Sequence, residues 1–218
     1  MEPFDPETIS AAYDQVADDY ALAFADDLDH LPVDRTVLDA GIKRVPGTGP
    51  VLDIGCGPAQ VAHYLAERGI SVIGVDLASE MLRVARRRGG ATRLVCADMR
   101  SLPVRSGSCA GAVMFYSLQH LSRPRIGDAL AETRRVLVPG GILILATHLG
   151  DGEVHLSEFL GHVIEPMGGT LHRHDEIERA LLDASFELEG IRLREPLPHE
   201  YPSTRLYAIA RLADSSVH

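Results

Sequence analysis

Two glycines and three acids stand in this chain where a nucleotide could be held. Val51-Leu52-Asp53-Ile54-Gly55-Cys56-Gly57 carries an apolar run into an acid and then into glycines one residue apart. A buried parallel strand delivers its backbone into a tight turn in this way, and glycines there expose main-chain atoms to a ligand. Asp53 is expected at the rim of that turn and Cys56 inside it. Asp76 closes the next apolar run, about 20 residues on, where an acid accepts hydrogen bonds from ribose hydroxyls. Asp98 and Met99 follow a third run. An acid beside a hydrophobic residue suits adenine, the carboxylate taking the exocyclic amine and the side chain covering the ring.

Histidines mark the next two strand ends. His120 follows the fourth apolar run and His148 the fifth. Imidazole titrates near neutrality, so both are candidate general bases. Each could equally orient a loop. His155 and His162 fall in a later segment and read as polar residues of a lid. His172 and His174, with Asp175 beside them, offer two imidazoles and a carboxylate but no third ligand. They read as a polar helix entry, and no metal is expected.

These side chains need a scaffold that brings strand ends to one edge. Ile9, Tyr13, Val16, Tyr20 and Phe24 recur at helical spacing, predicting a helix from about Ser10 to Ala25. A second helix is predicted from Thr36 to Val45, before Pro46-Gly47. Strands are then expected at Pro50–Ile54, Ser71–Val75, Arg93–Ala97, Gly111–Phe115 and Ile142–Thr147. Helices are expected between them at Gln60–Glu67, Ser79–Arg87 and Pro124–Leu137. Such alternation implies right-handed crossovers and a parallel sheet. Beyond residue 149 the pattern changes. Asp151 to Thr170 shows a weak helical stripe, and Asp175 to Ala184 a short helix. Glu187–Arg194 and Thr204–Leu212 read as an antiparallel strand pair at the sheet's end. Asp214 to His218 are expected to fray.

The spacing narrows the cofactor. A dinucleotide turn carries a third glycine, where this chain has Gln60, and the Gly-Lys-Ser/Thr of a P-loop is absent. Tyr116-Ser117-Leu118-Gln119-His120-Leu121 follows strand four, and Arg135-Val136-Leu137-Val138-Pro139-Gly140-Gly141 leads into strand five. With these five motifs in order, the chain resembles the class I S-adenosylmethionine-dependent methyltransferases of small molecules. The resemblance is strong over residues 50–147. It departs where relatives carry Leu-His-His-Leu and this chain reads Leu118-Gln119-His120-Leu121, leaving His120 as the base candidate there.

The resemblance implies a Rossmann-like α/β fold: seven mostly parallel strands, helices on both faces, and the last strand antiparallel. It implies S-adenosylmethionine as cofactor and S-adenosylhomocysteine as product. Gly55 and Gly57 would face the methionine portion and Tyr116 and Ser117 the sulfonium, with Leu77 and Met81 along the adenosine. Tyr20, and less directly Tyr13, would fold over the cofactor; core packing suits both tyrosines as well. The implied organisation is one domain. A helical cap (1–46) precedes a cofactor core (47–148), a substrate cover (149–174), and a C-terminal helix with the strand pair (175–213). Phe4, Phe24, Phe159 and Tyr201 would wall the substrate, and Glu153, Glu158 or Glu200 could attract an amine.

Bulk properties agree with a small-molecule enzyme. The 218 residues suffice for one α/β domain, and 45% of them are hydrophobic. A net charge of −10 disfavours nucleic acid, and no Asn/Asp-Pro-Pro-aromatic tetrapeptide follows strand four. The run Arg86-Arg87-Arg88 reads as a solvated helix end. No apolar stretch approaches a membrane span, the N-terminus lacks a signal-peptide pattern, and Cys56, Cys96 and Cys109 match no zinc spacing. A cytoplasmic monomer or homodimer is expected, with the methyl acceptor at oxygen or nitrogen rather than carbon or sulfur. Two other readings stay open at this level. One is a nicotinamide-dependent oxidoreductase, disfavoured by Gln60 and by a single lysine, Lys43, ahead of the sheet. The other is a non-catalytic cofactor-binding partner module.

Overall fold

A computed structural model describes residues 4–47, 49–89, 93–198 and 200–213. The expected fraying of 214–218 lies outside the described residues. Both N-terminal helices begin earlier than expected, at prolines. In α1 (Pro6–Phe24) the Asp5 carboxylate caps the helix by accepting the Glu7 N–H at 3.1 Å. The next helix, α2 (Pro32–Ile42), opens on Pro32. The alternating region then runs β1 (Val51–Ile54), α3 (Gln60–Ala66), β2 (Val72–Asp76), α4 (Ser79–Arg88), β3 (Arg93–Cys96), β4 (Cys109–Phe115), α5 (Ile126–Val136) and β5 (Leu137–His148). It is followed by β6 (Gly152–Phe159), β7 (His162–Leu171), α6 (His174–Asp183), β8 (Phe186–Arg194) and β9 (Arg205–Leu212).

Seven strands form one sheet in the order β3-β2-β1-β4-β5-β9-β8. The first five are parallel, and β9 runs antiparallel to both neighbours, β5 and β8. Strand order reverses between β1 and β4, which opens a crevice at their carboxyl ends. From Gly141 to Thr147 every residue of β5 is buried, as a strand covered on both faces requires. Leu38, Tyr64 and Leu65 of α2 and α3 pack on one face. Leu130, Ile177 and Leu181 of α5 and α6 pack on the other.

The segment after residue 149 corrects the expected helical stripe. It is a β-hairpin outside the main sheet, β6 paired antiparallel with β7. Val154 and Leu156 alternate with polar neighbours, and that period of two decides the element. Leu160 and Gly161 both take positive φ, 51° and 79°, which suits a two-residue hairpin turn.

The hairpin and α1 together roof the crevice. Asp14 of α1 accepts the Glu80 N–H at 2.8 Å, capping α4 from outside. Arg87 pairs with Asp18, and Arg88 with Asp26 at 2.8 Å. The basic run is a solvated helix end, as expected, and two of its arginines also reach acids of α1 and the turn after it. On the other side His162 meets Asp19 at 2.7 Å, and Ile9, Val16, Ile164 and Met167 form a small core between α1 and the hairpin. Among the described residues, no helix is long and apolar enough to cross a membrane.

Candidate active site

The β1 turn assigns its two glycines different tasks. Gly55 and Gly57 both take positive φ, 75° and 51°. A Cβ on Gly55 would collide with Ser117, whose hydroxyl donates to the Ile54 carbonyl at 2.7 Å. Gly55 therefore serves packing between β1 and the β4 loop. A Cβ on Gly57 would meet nothing nearer than 4.0 Å, from Gln60 Oε1 and Tyr20 Cε1. Here the main chain lies open to the crevice.

Asp76 braces the same turn from the end of β2. Its Oδ2 accepts the Gly57 N–H at 2.7 Å and its Oδ1 the Ala78 N–H at 2.8 Å. Burial raises its pKa, and these N–H groups oppose that rise. Asp53 corrects an expectation. It lies beneath the turn instead of at its rim, because β1 is buried on both faces. Burial pushes its carboxyl up to about 7, the Ala62 N–H pulling the other way, and it does not line the cavity.

A cavity of about 620 Å³ runs from this turn to the end of β5. Its walls include Tyr20, Gly55, Cys56, Gly57, Asp76, Leu77, Met81, Asp98, Met99, Tyr116, Ser117, His120 and His148. Apart from Asp53, the structure thus brings every predicted cofactor residue and both candidate bases to one space. Asp98 arrives in company: Arg100 Nε donates to both its oxygens, at 3.0 and 3.1 Å. Phe4, Phe24, Phe159 and Tyr201 line the cavity as well, and so does Glu200. Glu153, Glu158, His155 and His162 do not, the last two facing Glu153 and Asp19. His172 is buried beyond β7 and His174 faces Glu178 at 3.4 Å. Among the described residues, no group of three metal-binding side chains forms.

Above the glycine turn the roof is aromatic. Tyr20 packs on Phe24 and Phe159 with ring centroids 4.8 and 6.1 Å away, and burial pushes its phenol up to about 12. The Tyr13 hydroxyl meets His120 Nε2 at 2.8 Å, while His120 Nδ1 lies 3.4 Å from the Gly168 carbonyl. Burial lowers the His120 imidazole to about 4. Both ring nitrogens thus have protein partners.

The far end of the cavity holds a network with no local sequence signature. Asp34 of α2 accepts hydrogen bonds from Tyr116 at 2.9 Å and Tyr207 at 2.8 Å. Arg194 Nε donates to the Tyr207 oxygen at 3.0 Å and holds Glu200 with both terminal nitrogens, at 2.7 and 2.8 Å. The Arg194 contact brings the Glu200 carboxyl down to about 2. Arg205 Nη2 lies 3.6 Å from Glu200, and its Nη1 donates to the Tyr201 carbonyl at 2.7 Å and to the Ser203 carbonyl. His148 Nδ1 meets Ser203 Oγ at 2.7 Å. Burial first, then Arg205, lowers this imidazole to about 4, so it is neutral at pH 7. Asp34, Arg194, Ser203, Arg205 and Tyr207 are the members of this network that sequence reasoning does not single out.

The fold and this site define a class of protein. An open glycine turn at the strand-order reversal, a ribose-type acid one strand over and an antiparallel strand inserted beside β5 are the frame of a class I S-adenosylmethionine-dependent methyltransferase. Comparison with known proteins agrees. Residues 51–141 match the family described as "Methyltransferase domain". A malonyl-[acyl-carrier protein] O-methyltransferase of Enterobacter lignolyticus is 29% identical over 194 residues, 88% of this chain and 71% of that protein. Of further curated relatives the chain spans 52–64% of the length. A SAM-dependent methyltransferase structure from Methanosarcina mazei shares the fold with a TM-score of 0.71 at 22% identity, covering 80% of this chain and 97% of that one. The 1,6-didemethyltoxoflavin-N1-methyltransferase of Burkholderia thailandensis, solved with S-adenosylhomocysteine, aligns with a TM-score of 0.69 at 21% identity, over 96% and 91% of the two chains. The chain thus carries the methyltransferase domain over residues 51–141 and is similar in fold to the S-adenosylmethionine-dependent methyltransferases. The open main chain at Gly57 beside the anchored Asp76 carboxylate fits S-adenosylmethionine.

Proposed function

We propose that the protein transfers a methyl group from S-adenosylmethionine to an oxygen of a small, largely apolar molecule. The carrying observation is the single cavity joining the glycine turn to the His148–Tyr116 end. Oxygen is favoured over nitrogen, carbon and sulfur by the relatives named malonyl-[acyl-carrier protein] O-methyltransferase. Apolar roofing by Ile9, Phe24, Leu156, Phe159 and Met167 supports a small organic acceptor, and the charge of −10 argues against nucleic acid.

The cofactor supplies an activated methyl group on sulfur, so the protein's task is alignment and exclusion of water. In this reading Gly57 and Tyr20 face the methionine portion, with Gly55 and Cys56 shaping the turn. Asp76 takes the ribose hydroxyls. Leu77, Met81 and Met99 cover the adenosine, and Asp98, steadied by Arg100, takes the adenine amine. Tyr116 and Ser117 border the sulfur. His148 and His120 are the candidate bases, His120 acting through the Tyr13 hydroxyl. The division into cap, core, cover and C-terminal unit follows from the same assignment, with α1 and the hairpin as roof.

Isothermal titration with S-adenosylhomocysteine tests the cofactor half, and absence of binding at millimolar ligand sinks the proposal. Incubation with methyl-labelled cofactor and a metabolite extract tests the rest. Label is expected in a methyl ether or an alkali-labile methyl ester; label only on nitrogen, carbon or sulfur refutes the oxygen assignment.

A further inference from the structure

The two candidate bases differ in what their ring nitrogens are doing. His120 has both engaged, by Tyr13 and by Gly168. His148 has only Nδ1 engaged, by Ser203, and among the described residues no neighbour bonds its Nε2. The ring lies at the carboxyl end of β5 on the cavity wall, with its centroid 5.2 Å from that of Tyr116.

Ser203 is itself held. It is buried, and Arg205 grips its carbonyl together with that of Tyr201. Arg205 is buried as well, and Glu200 stands beside it. The hydroxyl therefore meets the imidazole from a fixed stretch of backbone, and in a histidine the partner of one nitrogen sets the state of the other.

The charges around this end also limit what can enter. Among the described residues both arginines that line the cavity face carboxylates, Arg100 facing Asp98 and Arg205 facing Glu200. Asp34 is a further acid on the wall. An incoming carboxylate would be desolvated beside acids with no uncommitted guanidinium to meet it. A neutral hydroxyl meets no such penalty.

We infer that Ser203 is a positioning residue that accepts the His148 Nδ1–H, leaving the Nε2 lone pair to take the proton of a neutral hydroxyl acceptor. This rests on the oxygen-methylation reading above and deepens it. The O–H proton passes to Nε2 as an oxygen lone pair forms the bond to the methyl carbon. The carbon–sulfur bond breaks with its pair left on sulfur, and the imidazolium later returns the proton to water. One positive charge is present before and after, so the step creates no net charge in a site where burial, Arg205, His120 and Arg194 keep the resting ring neutral against the pull of Glu200.

The test reads the tautomer directly, by long-range proton–nitrogen NMR of the ¹⁵N-labelled full chain loaded with S-adenosylhomocysteine, with His148→Gln to assign the ring. The native protein and Ser203→Thr are expected to show a protonated Nδ1 and a bare Nε2, and Ser203→Ala to lose that preference. A protonated Nε2 in the native protein, or an unchanged tautomer in Ser203→Ala, overturns the inference. Phenol and benzoate serve as probes of acceptor class. A larger response of the His148 signals to phenol is expected; an equal or reversed response overturns the hydroxyl assignment. Failure of S-adenosylhomocysteine to bind refutes the function above while leaving the tautomer readable in the unloaded protein.

Discussion

The two ends of the cavity are built by different means. At the glycine turn the groups facing the ligand are main chain, fixed by strands β1 and β2 and by the Asp76 carboxylate. At the β5 end they are side chains from α2, β5, β8, β9 and the loops after β4 and before β9, tied by charge and hydroxyl contacts. Positive φ at Gly55 and Gly57 disfavours a side chain at the backbone-built end, whereas a side-chain network can be altered one member at a time. In the proposed function the cofactor takes the end built from main chain and the acceptor the end built from side chains.

The largest effect is expected where this contrast is sharpest. Gly57→Val puts a β-branched side chain at φ 51° and into the open face of the turn. Calorimetry should show S-adenosylhomocysteine affinity falling by roughly two orders of magnitude or more, at about 1.4 kcal/mol per tenfold. Retained affinity would place the ligand elsewhere. Asp76→Ala comes next. It removes charge-assisted hydrogen bonds worth about 1.5–3 kcal/mol each, so affinity should drop about 10- to 100-fold. An unchanged constant would remove the ribose assignment.

A third prediction sets the two ends against each other through pH. His120, His148 and His172 are each lowered to about 4 by burial. Unfolded histidine titrates near 6.5, so between about pH 4 and 6.5 the unfolded chain binds protons that the folded one does not. Their contribution to stability therefore rises with pH across that window. Asp53, raised to about 7, acts in the opposite sense. Folded Asp53 keeps a proton that the unfolded chain releases above about 4, so its contribution falls from about pH 4 to 7. Asp34 and Asp76 are raised by burial too and His63 is lowered, so four imidazoles stand against three carboxyls and urea midpoints should climb from about pH 4.5 to 6.5. Asp53→Asn should make that climb steeper. A flat profile in the native protein would mean that the imidazoles are not buried neutral.

The smallest expected effect concerns the roof. Asp19 and His162 are both about half exposed, so Asp19→Ala should cost only about 0.2–1 kcal/mol. The change should show as faster amide exchange in β6 and β7 with S-adenosylhomocysteine affinity unaltered. A loss of affinity would join the roof to the cofactor end.

What the sequence discloses follows the same division. The turn at 55–57, Asp76 and the strand–helix alternation lie in contiguous runs, and the parallel sheet could be read from them. Asp53 was legible as an acid before the glycines but not as a buried one, because burial on both faces is a property of the assembled sheet. The helix starts at Pro6 and Pro32 lay outside the apolar periodicity, in the capping residues. The hairpin was hidden by its short alternation and by Leu160 at positive φ, where glycine would have signalled a turn. Asp34 and Tyr207 stand 173 residues apart, and no spacing rule connects them. Arg205 and Ser203 acquire meaning only when β9 lies against β5.

That last placement bears on how the molecule is made. Synthesis runs from the N-terminus, and early segments can begin to fold before later ones exist. The turn, Asp76 and His148 all precede the hairpin, yet β5 borders open space until β9 arrives to pair with it from Arg205 to Arg211. Until then β5 has a bare apolar strand edge, the kind that pairs with other chains. The strand that completes the acceptor end is also the one that ends this exposure.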